Sequence, residues 1–218
     1  MKRAERAIEI EHRLAREYPR AHIALAYGGE FQLLVAVILS AQTTDITVNK
    51  VTPALFDAYP TPEALAAAEP ADVEDLVHAT GFFRNKAKNI MGAATMISEE
   101  YDGEVPDTME GLVSLPGVAR KTANIVLFNA FGKLEGIAVD THVSRLSQRL
   151  GLTKNTDAVK IEKDLMAVFP REEWGLVTYK LIDHGRAVCD AKRPVCGACV
   201  LSDICPSAFK IKGWREEE

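Results

Sequence analysis

All four cysteines of the chain fall in one stretch, "CDAKRPVCGACVLSDIC", as Cys189, Cys196, Cys199 and Cys205 with the spacing C-x6-C-x2-C-x5-C. Four thiolates without a histidine among them define a closed four-sulfur site, and such ligation suits either zinc or an iron-sulfur cluster. Zinc ribbons usually bring two Cys-x2-Cys knuckles from separated segments. Only one such knuckle is present here, which favours the cluster over zinc; four free thiols are the bland alternative. With no secretory signal ahead of them, disulfides are the least expected use of these residues. The loop from Cys189 to Cys196 carries Lys192 and Arg193 at its tip, where a tethered loop presents cations rigidly enough for phosphate contact.

A second constellation lies in "LPGVARKTA", residues 115–123. Pro116 presets φ and Gly117 permits a positive φ, so two helices can be joined tightly. The amides of Gly117, Val118 and Ala119 then stand at a helix start, where unpaired N–H groups and the positive dipole end favour an anion. Lys121 follows, one turn inside that helix. A free lysine has a pKa near 10.4, so only roughly one in 2,500 is a neutral nucleophile at neutral pH. The helix end and partial burial both disfavour the ammonium form, which is how a Schiff-base lysine is made. A solvated lysine on an exposed first turn is the competing reading.

Asp140 in "AVDTHVSRL" directly precedes a helix and suits an N-cap, accepting from the amides of Thr141 to Val143. Held near Lys121, it could also steady a developing sugar cation or take protons from an attacking amine.

The elements that must position these groups read as helices. Helical periodicity predicts segments at 3–17, 31–42, 45–58, 62–68, 71–78, 83–100, 108–114, 119–131, 141–150, 157–168 and 172–186, with stops at Pro and Gly residues between them. "FQLLVAVILSA" is apolar enough for a buried strand, but without a partner strand its backbone would go unpaired, so a core helix is expected. The fold class is all-α. At 218 residues with 47% apolar content the chain can bury a substantial core in one domain or two lobes. The N-terminus lacks a signal-peptide core and no long apolar run is present, so no membrane span is expected and the location is expected to be cytoplasmic. The net charge of -5 argues against a nucleic-acid partner, yet base collects in "RNKAK" at 84–88, Arg120 with Lys121, Arg145 with Arg149, and Lys192 with Arg193. A basic face on an acidic body is compatible with that distribution, as are ordinary solvated helices.

Together, "LSAQTTD" (39–45), "TGFFRNKAKNI" (80–90), "LPGVARKTANIV" (115–126), "IAVDTH" (137–142), "HGR" (184–186) and the four-cysteine spacing resemble the endonuclease III branch of the helix-hairpin-helix DNA glycosylases, over nearly the whole chain. The resemblance implies two helical lobes flanking a DNA-binding cleft. One would be a six-helix barrel at 26–135 with the hairpin at 108–131; the other would join 1–25 to 136–218 around a 4Fe-4S cluster loop at 189–205. It implies a monomer, nucleoid-associated in a prokaryote, that acts on double-stranded DNA carrying a damaged pyrimidine or an abasic site. Lys121 would attack C1′, with Asp140 assisting, and β-elimination would cut the strand 3′ to the lesion. Gln42 would fill the hole left by the flipped nucleotide and Phe82 would wedge the stack. Arg120, with Gly117, Val118 and Ala119, would contact DNA, and His142 would lie near the sugar. The chain departs from the family's Leu-Pro-Gly-Val-Gly at Ala119 and has one residue more before Asp140, in "FGKLEGIAVD".

Overall fold

Short oxygen-bearing side chains start the helices. Thr44, Thr61, Thr108, Asp140 and Asp157 each accept a hydrogen bond from the amide three residues on, satisfying one of the donors a helix start leaves unpaired. The computed structural model describes residues 1–217, among which there are helices and turns but no strand. In chain order the α-helices are α1 (Arg3–Glu17), α2 (Glu30–Leu39), α3 (Asp45–Ala58), α4 (Pro62–Ala66), α5 (Pro70–Val77), α6 (Phe83–Glu100), α7 (Met109–Ser114), α8 (Arg120–Phe131), α9 (Thr141–Arg149), α10 (Ala158–Met166) and α11 (Trp174–Ala187). Single 3₁₀ turns lie at His78–Thr80 and Arg171–Glu173.

The all-α expectation holds, and the helices fall close to the periodicity. The main difference is α2, which stops at Leu39 rather than continuing to Gln42. Ser40 still bonds back to Ala36, but Thr43 turns its amide onto Ser40 and Gln42 takes a left-handed φ of 53°.

The described residues divide into two compact units: Ala24–Glu135, and Met1–Ile23 joined by the chain from Gly136 onward. In the central unit α2 is buried from Leu33 to Leu39 on every face, packing against α3, α6 and α8. A helix apolar all round belongs in a core, which is why an apolar run of this length is helical here without a sheet to join. Helix α6 buries Lys86, Ala87, Ile90, Ala93, Ala94 and Ile97 along one stripe. Helix α8 ends at Gly132, whose φ of 65° lets Lys133 donate to the Leu127 carbonyl in a Schellman closure.

In the other unit Ala7, Ile10 and Leu14 of α1 meet Val143 and Leu146 of α9, Ile161 and Leu165 of α10, and Val177 and Leu181 of α11. Lys180 of α11 is buried in this core and donates to Glu11 of α1 and to Glu173, so its charge is compensated from both sides.

The hairpin joining α7 to α8 is seated directly on α6. A β-carbon at Gly117 would lie 2.9 Å from Asn89 Cβ, and one at Gly92 would lie 3.2 Å from Pro116 Cγ. Gly117 also has a φ of 78°, which costs a non-glycine residue about 1–2 kcal/mol before any clash. Gly117→Ala is expected to lose about 2–4 kcal/mol of unfolding free energy in a urea titration, from strain and overpacking together. An unchanged midpoint would show that the turn is not held against α6.

Candidate functional site

The Val118 amide donates to the Leu115 carbonyl, closing a four-residue turn with proline and positive-φ glycine at its centre. The Val118 N–H is therefore consumed by the turn. The amides of Gly117 and Ala119 have no backbone acceptor among the described residues, and Ala119 is exposed. Ala119 is the N-cap of α8 with φ −93° and ψ 168°, an extended conformation open to any residue, so alanine fits where the resembled pattern has glycine. Lys121 is the second residue of α8, earlier than expected, and its side chain is exposed rather than partly buried. Arg120 beside it is half-buried.

Two further positions are distinctive in backbone and exposure. Phe82 is 70% exposed and so takes no part in the core. It is the N-cap of α6 in the left-handed region, φ 48°, directly after Gly81. Gln42 is exposed in its own left-handed turn. Between these segments lies Lys86, one of the residues of the basic "RNKAK" stretch. Its side chain turns inward instead, 4% exposed, with Nζ 2.6 Å from Thr43 Oγ1 and 2.7 Å from the Thr80 carbonyl oxygen. Burial holds its pKa below the ordinary lysine value.

In the other unit Asp140 caps α9, with Oδ1 accepting from the Val143 amide at 2.7 Å; the bond comes from Val143 alone of the three amides anticipated. His142 is half-buried and its Nδ1 accepts from Arg145, placing its proton on Nε2. Burial is the main cause of its lowered pKa. Gly185 makes room for this pair, since a β-carbon there would stand 2.7 Å from His142 Nδ1.

Arg145 and Arg149 do not form part of a basic face. Arg145 donates to the carbonyls of Gly185 and Cys189, and Arg149 to those of Asp190 and Ala191 and to Cys189 Sγ at 3.3 Å. The loop they hold turns at Asp190, whose Oδ1 accepts from the amides of Lys192 and Arg193. These bonds pull the Asp190 carboxyl down to about 2 and leave the Lys192 and Arg193 side chains exposed at the tip. Farther on, the Gly197 amide donates to the Arg215 carbonyl, and a β-carbon at Gly197 would run into the Glu216 backbone.

The four cysteines are unbridged and line one cavity together with Leu146, Val188 and Ile211. Among the described residues no three Cys, His, Asp or Glu side chains converge on a single ion. Donors point at them. Besides Arg149, the Leu201 amide lies 3.4 Å from Cys199 Sγ, and so does Nε2 of His184. His184 Nδ1 in turn meets the Tyr18 hydroxyl at 3.1 Å, and burial holds this imidazole neutral with a pKa of about 4. Burial also pushes the Cys199 thiol up to about 11, so a bound group must displace its proton. Four thiols lining one cavity, met by N–H donors and otherwise by apolar side chains, fit an anionic multi-iron cluster.

A helix-hairpin-helix with open amides and an exposed lysine, in one chain with a separately folded cysteine loop, defines a nucleic-acid-binding protein of the helix-hairpin-helix type with an iron-sulfur centre. Comparison with known proteins makes this specific. The family model described as HhH-GPD superfamily base excision DNA repair protein matches residues 35–171, and that of the iron-sulfur binding domain of endonuclease III matches 189–205. The chain is 59% identical over 204 residues to endonuclease III of a Synechocystis strain, covering 94% of this chain and 93% of that one. It is similar, with TM-score 0.91 and 41% identity, to an endonuclease III in a non-covalent DNA complex, covering 96% of this chain and 98% of that one. An endonuclease III in a trapped covalent DNA intermediate matches with the same TM-score of 0.91, identity of 41% and coverage of 96% and 98%. The chain belongs to the endonuclease III family of the HhH-GPD superfamily of base excision DNA repair proteins. It is a DNA-binding DNA glycosylase that carries a 4Fe-4S cluster.

Sequence reasoning did not single out Lys86, Arg145 or Arg149 for the parts they play. For Lys86 a signal existed, because it occupies the same stripe of α6 as Ile90, Ala93 and Ile97. Arg149→Met removes the donors to three carbonyls, those of Cys189, Asp190 and Ala191, and to a sulfur of the cluster loop. Loss of iron under a chelator, followed by visible absorbance, is expected to accelerate about 10-fold or more; retention at the wild-type rate would show that the arginine does not support the cluster.

Proposed function

We propose that the chain is a bifunctional N-glycosylase and AP lyase that acts as a monomer on double-stranded DNA carrying an oxidised or ring-saturated pyrimidine or an abasic site. The observation that carries this reading is the exposed Lys121 amine at the second position of α8, immediately after a turn with open Gly117 and Ala119 amides. A phosphate held by those amides and the helix dipole keeps the neighbouring sugar beside the amine. The neutral Lys121 nitrogen forms a bond to C1′ as the bond from C1′ to the base breaks, and the base leaves with that electron pair and a proton. Ring opening yields the iminium. Loss of a C2′ proton then expels the 3′ phosphate, cutting the strand by β-elimination.

Asp140 retains an oxygen beyond the one occupied by the Val143 amide, and that oxygen would take the amine's proton and steady the sugar cation. Phe82 would wedge the base stack and Gln42 would occupy the vacated position; both are exposed, as these tasks require. Lys192 and Arg193, with Arg120, would contact phosphates, and His142 would be ordered by Arg145 beside the sugar. When bound, the cluster fixes the 189–205 loop. A closed four-thiolate set leaves no open coordination position, so its role is structural.

Borohydride added to wild-type protein and a thymine-glycol duplex is expected to trap a covalent adduct, whereas Lys121→Ala is expected to trap none. Mass spectrometry that located the oligonucleotide on any other residue would end the Lys121 assignment. Replacing Lys192 and Arg193 with alanine is expected to weaken binding and to flatten the dependence of log affinity on log salt by about 0.9 for each phosphate that is no longer neutralised. Single-turnover rates at saturating DNA should stay near wild type, and their collapse would contradict a purely phosphate-binding role.

A further inference from the structure

Lys86 is buried without a carboxylate partner among the described residues. It is also an ammonium at the N-terminal end of its own helix, where the dipole opposes a cation. A core position there would ordinarily take an apolar residue. What the amine does is join two segments distant in sequence. It donates to Thr43 Oγ1 in the α2–α3 turn and to the Thr80 carbonyl before α6, and the Thr43 hydroxyl donates to that same carbonyl. Thr80 is itself 3% exposed and its hydroxyl is anchored to the Val77 carbonyl.

Two of the four described non-glycine residues with positive φ flank this knot. Gln42 precedes Thr43 and Phe82 follows Gly81, and both are non-glycine residues with positive φ. Such conformations persist only where the surroundings over-determine them. Here the surroundings are the Lys86–Thr43–Thr80 knot, which ties the two turns to one another and to α6.

We infer that Lys86 is a positioning residue that couples the Gln42 and Phe82 turns, so that wedge and plug enter the duplex as one unit. The inference rests on the reading of those two residues given under Proposed function. It assigns Lys86 no contact with DNA and no part in Schiff-base chemistry. Coupling matters only where a base must be extracted from a stack, since a single-stranded abasic site has neither a partner base to replace nor a stack to open.

Lys86→Met keeps an unbranched side chain only one atom shorter and leaves the Thr43–Thr80 bond in place, so the fold is expected to keep or exceed its wild-type melting temperature. Its kcat/KM on a thymine-glycol duplex is expected to fall about 10- to 100-fold, as for a misplacement of the order of 1 Å. Borohydride trapping on a single-stranded abasic oligonucleotide is expected to fall far less, so that the ratio of the two rates is what moves. Thr43→Val, which removes the other half of the knot, should give the same split, and the double variant should be no worse than either single one. Lys86→Arg, which retains a buried donor, should recover part of the duplex rate.

A 2-aminopurine placed beside the lesion reports unstacking before any bond is broken. Its fluorescence rise on binding should disappear in Lys86→Met and in Thr43→Val. An undiminished rise in either folded variant overturns the coupling, as does an equal fall in duplex and single-strand rates. If wild-type protein trapped neither DNA, the lyase reading would fail while the 2-aminopurine comparison would still decide the coupling.

Discussion

Close approach of backbone to side chain at the Pro116–Gly117 turn is the constraint on which the hairpin and the start of α8 depend. Asn89 lies under Gly117 and Pro116 lies over Gly92, so the turn and α6 are separated by no spare methyl group. That seat fixes where α8 begins, and with it the direction of the Gly117 and Ala119 amides and the base of the Lys121 side chain. The same supporting helix carries Phe82 at its N-cap and Lys86 one turn in. The hairpin turn, the base of the Lys121 side chain and the Phe82 turn thus share α6 as a common support, so rigidity there fixes their placement relative to one another.

The cysteine loop follows a different principle. Burial makes the Cys199 and Cys205 thiols costly to ionise alone, and donors from Arg149, Leu201 and His184 are placed where negative charge accumulates on sulfur. The arginines of α9 serve as internal props for carbonyls, while the two cations at the loop tip stay exposed because Asp190 engages their backbone and leaves their side chains free. One short segment therefore presents a thiol-lined, apolar interior and a cationic exterior.

Most of the secondary structure could be read from the letters, because helix starts and stops are local chemistry. Thr108, Asp140 and Gly132 act as the caps their types imply. The apolar run of α2 resisted assignment by period, and only the lack of a partner strand identified it as helix. Its end was read three residues late, since the turn through Gln42 contains no glycine or proline to mark it. At the site, residue type located Lys121 but not its exposure, which depends on what lies opposite and so on packing. Charge was the least legible property. Lys86, Arg145 and Arg149 looked like surface base, and each turns inward to satisfy carbonyl groups that only the folded backbone brings together.

The unit containing the cysteine loop is discontinuous, and this bears on how the molecule forms during translation. Glu11 meets Lys180 across 169 positions, and Arg13 meets Asp203 across 190. The nascent α1 therefore emerges with Ala7, Ile10 and Leu14 uncovered and waits for its partners. The central unit, continuous in sequence, can fold in that interval, since domains generally fold as units while synthesis proceeds. Iron can be loaded only after the chain through Cys205 has left the ribosome, which places cofactor insertion after the central unit has emerged and leaves the amphipathic α1 for chaperones to shield until then.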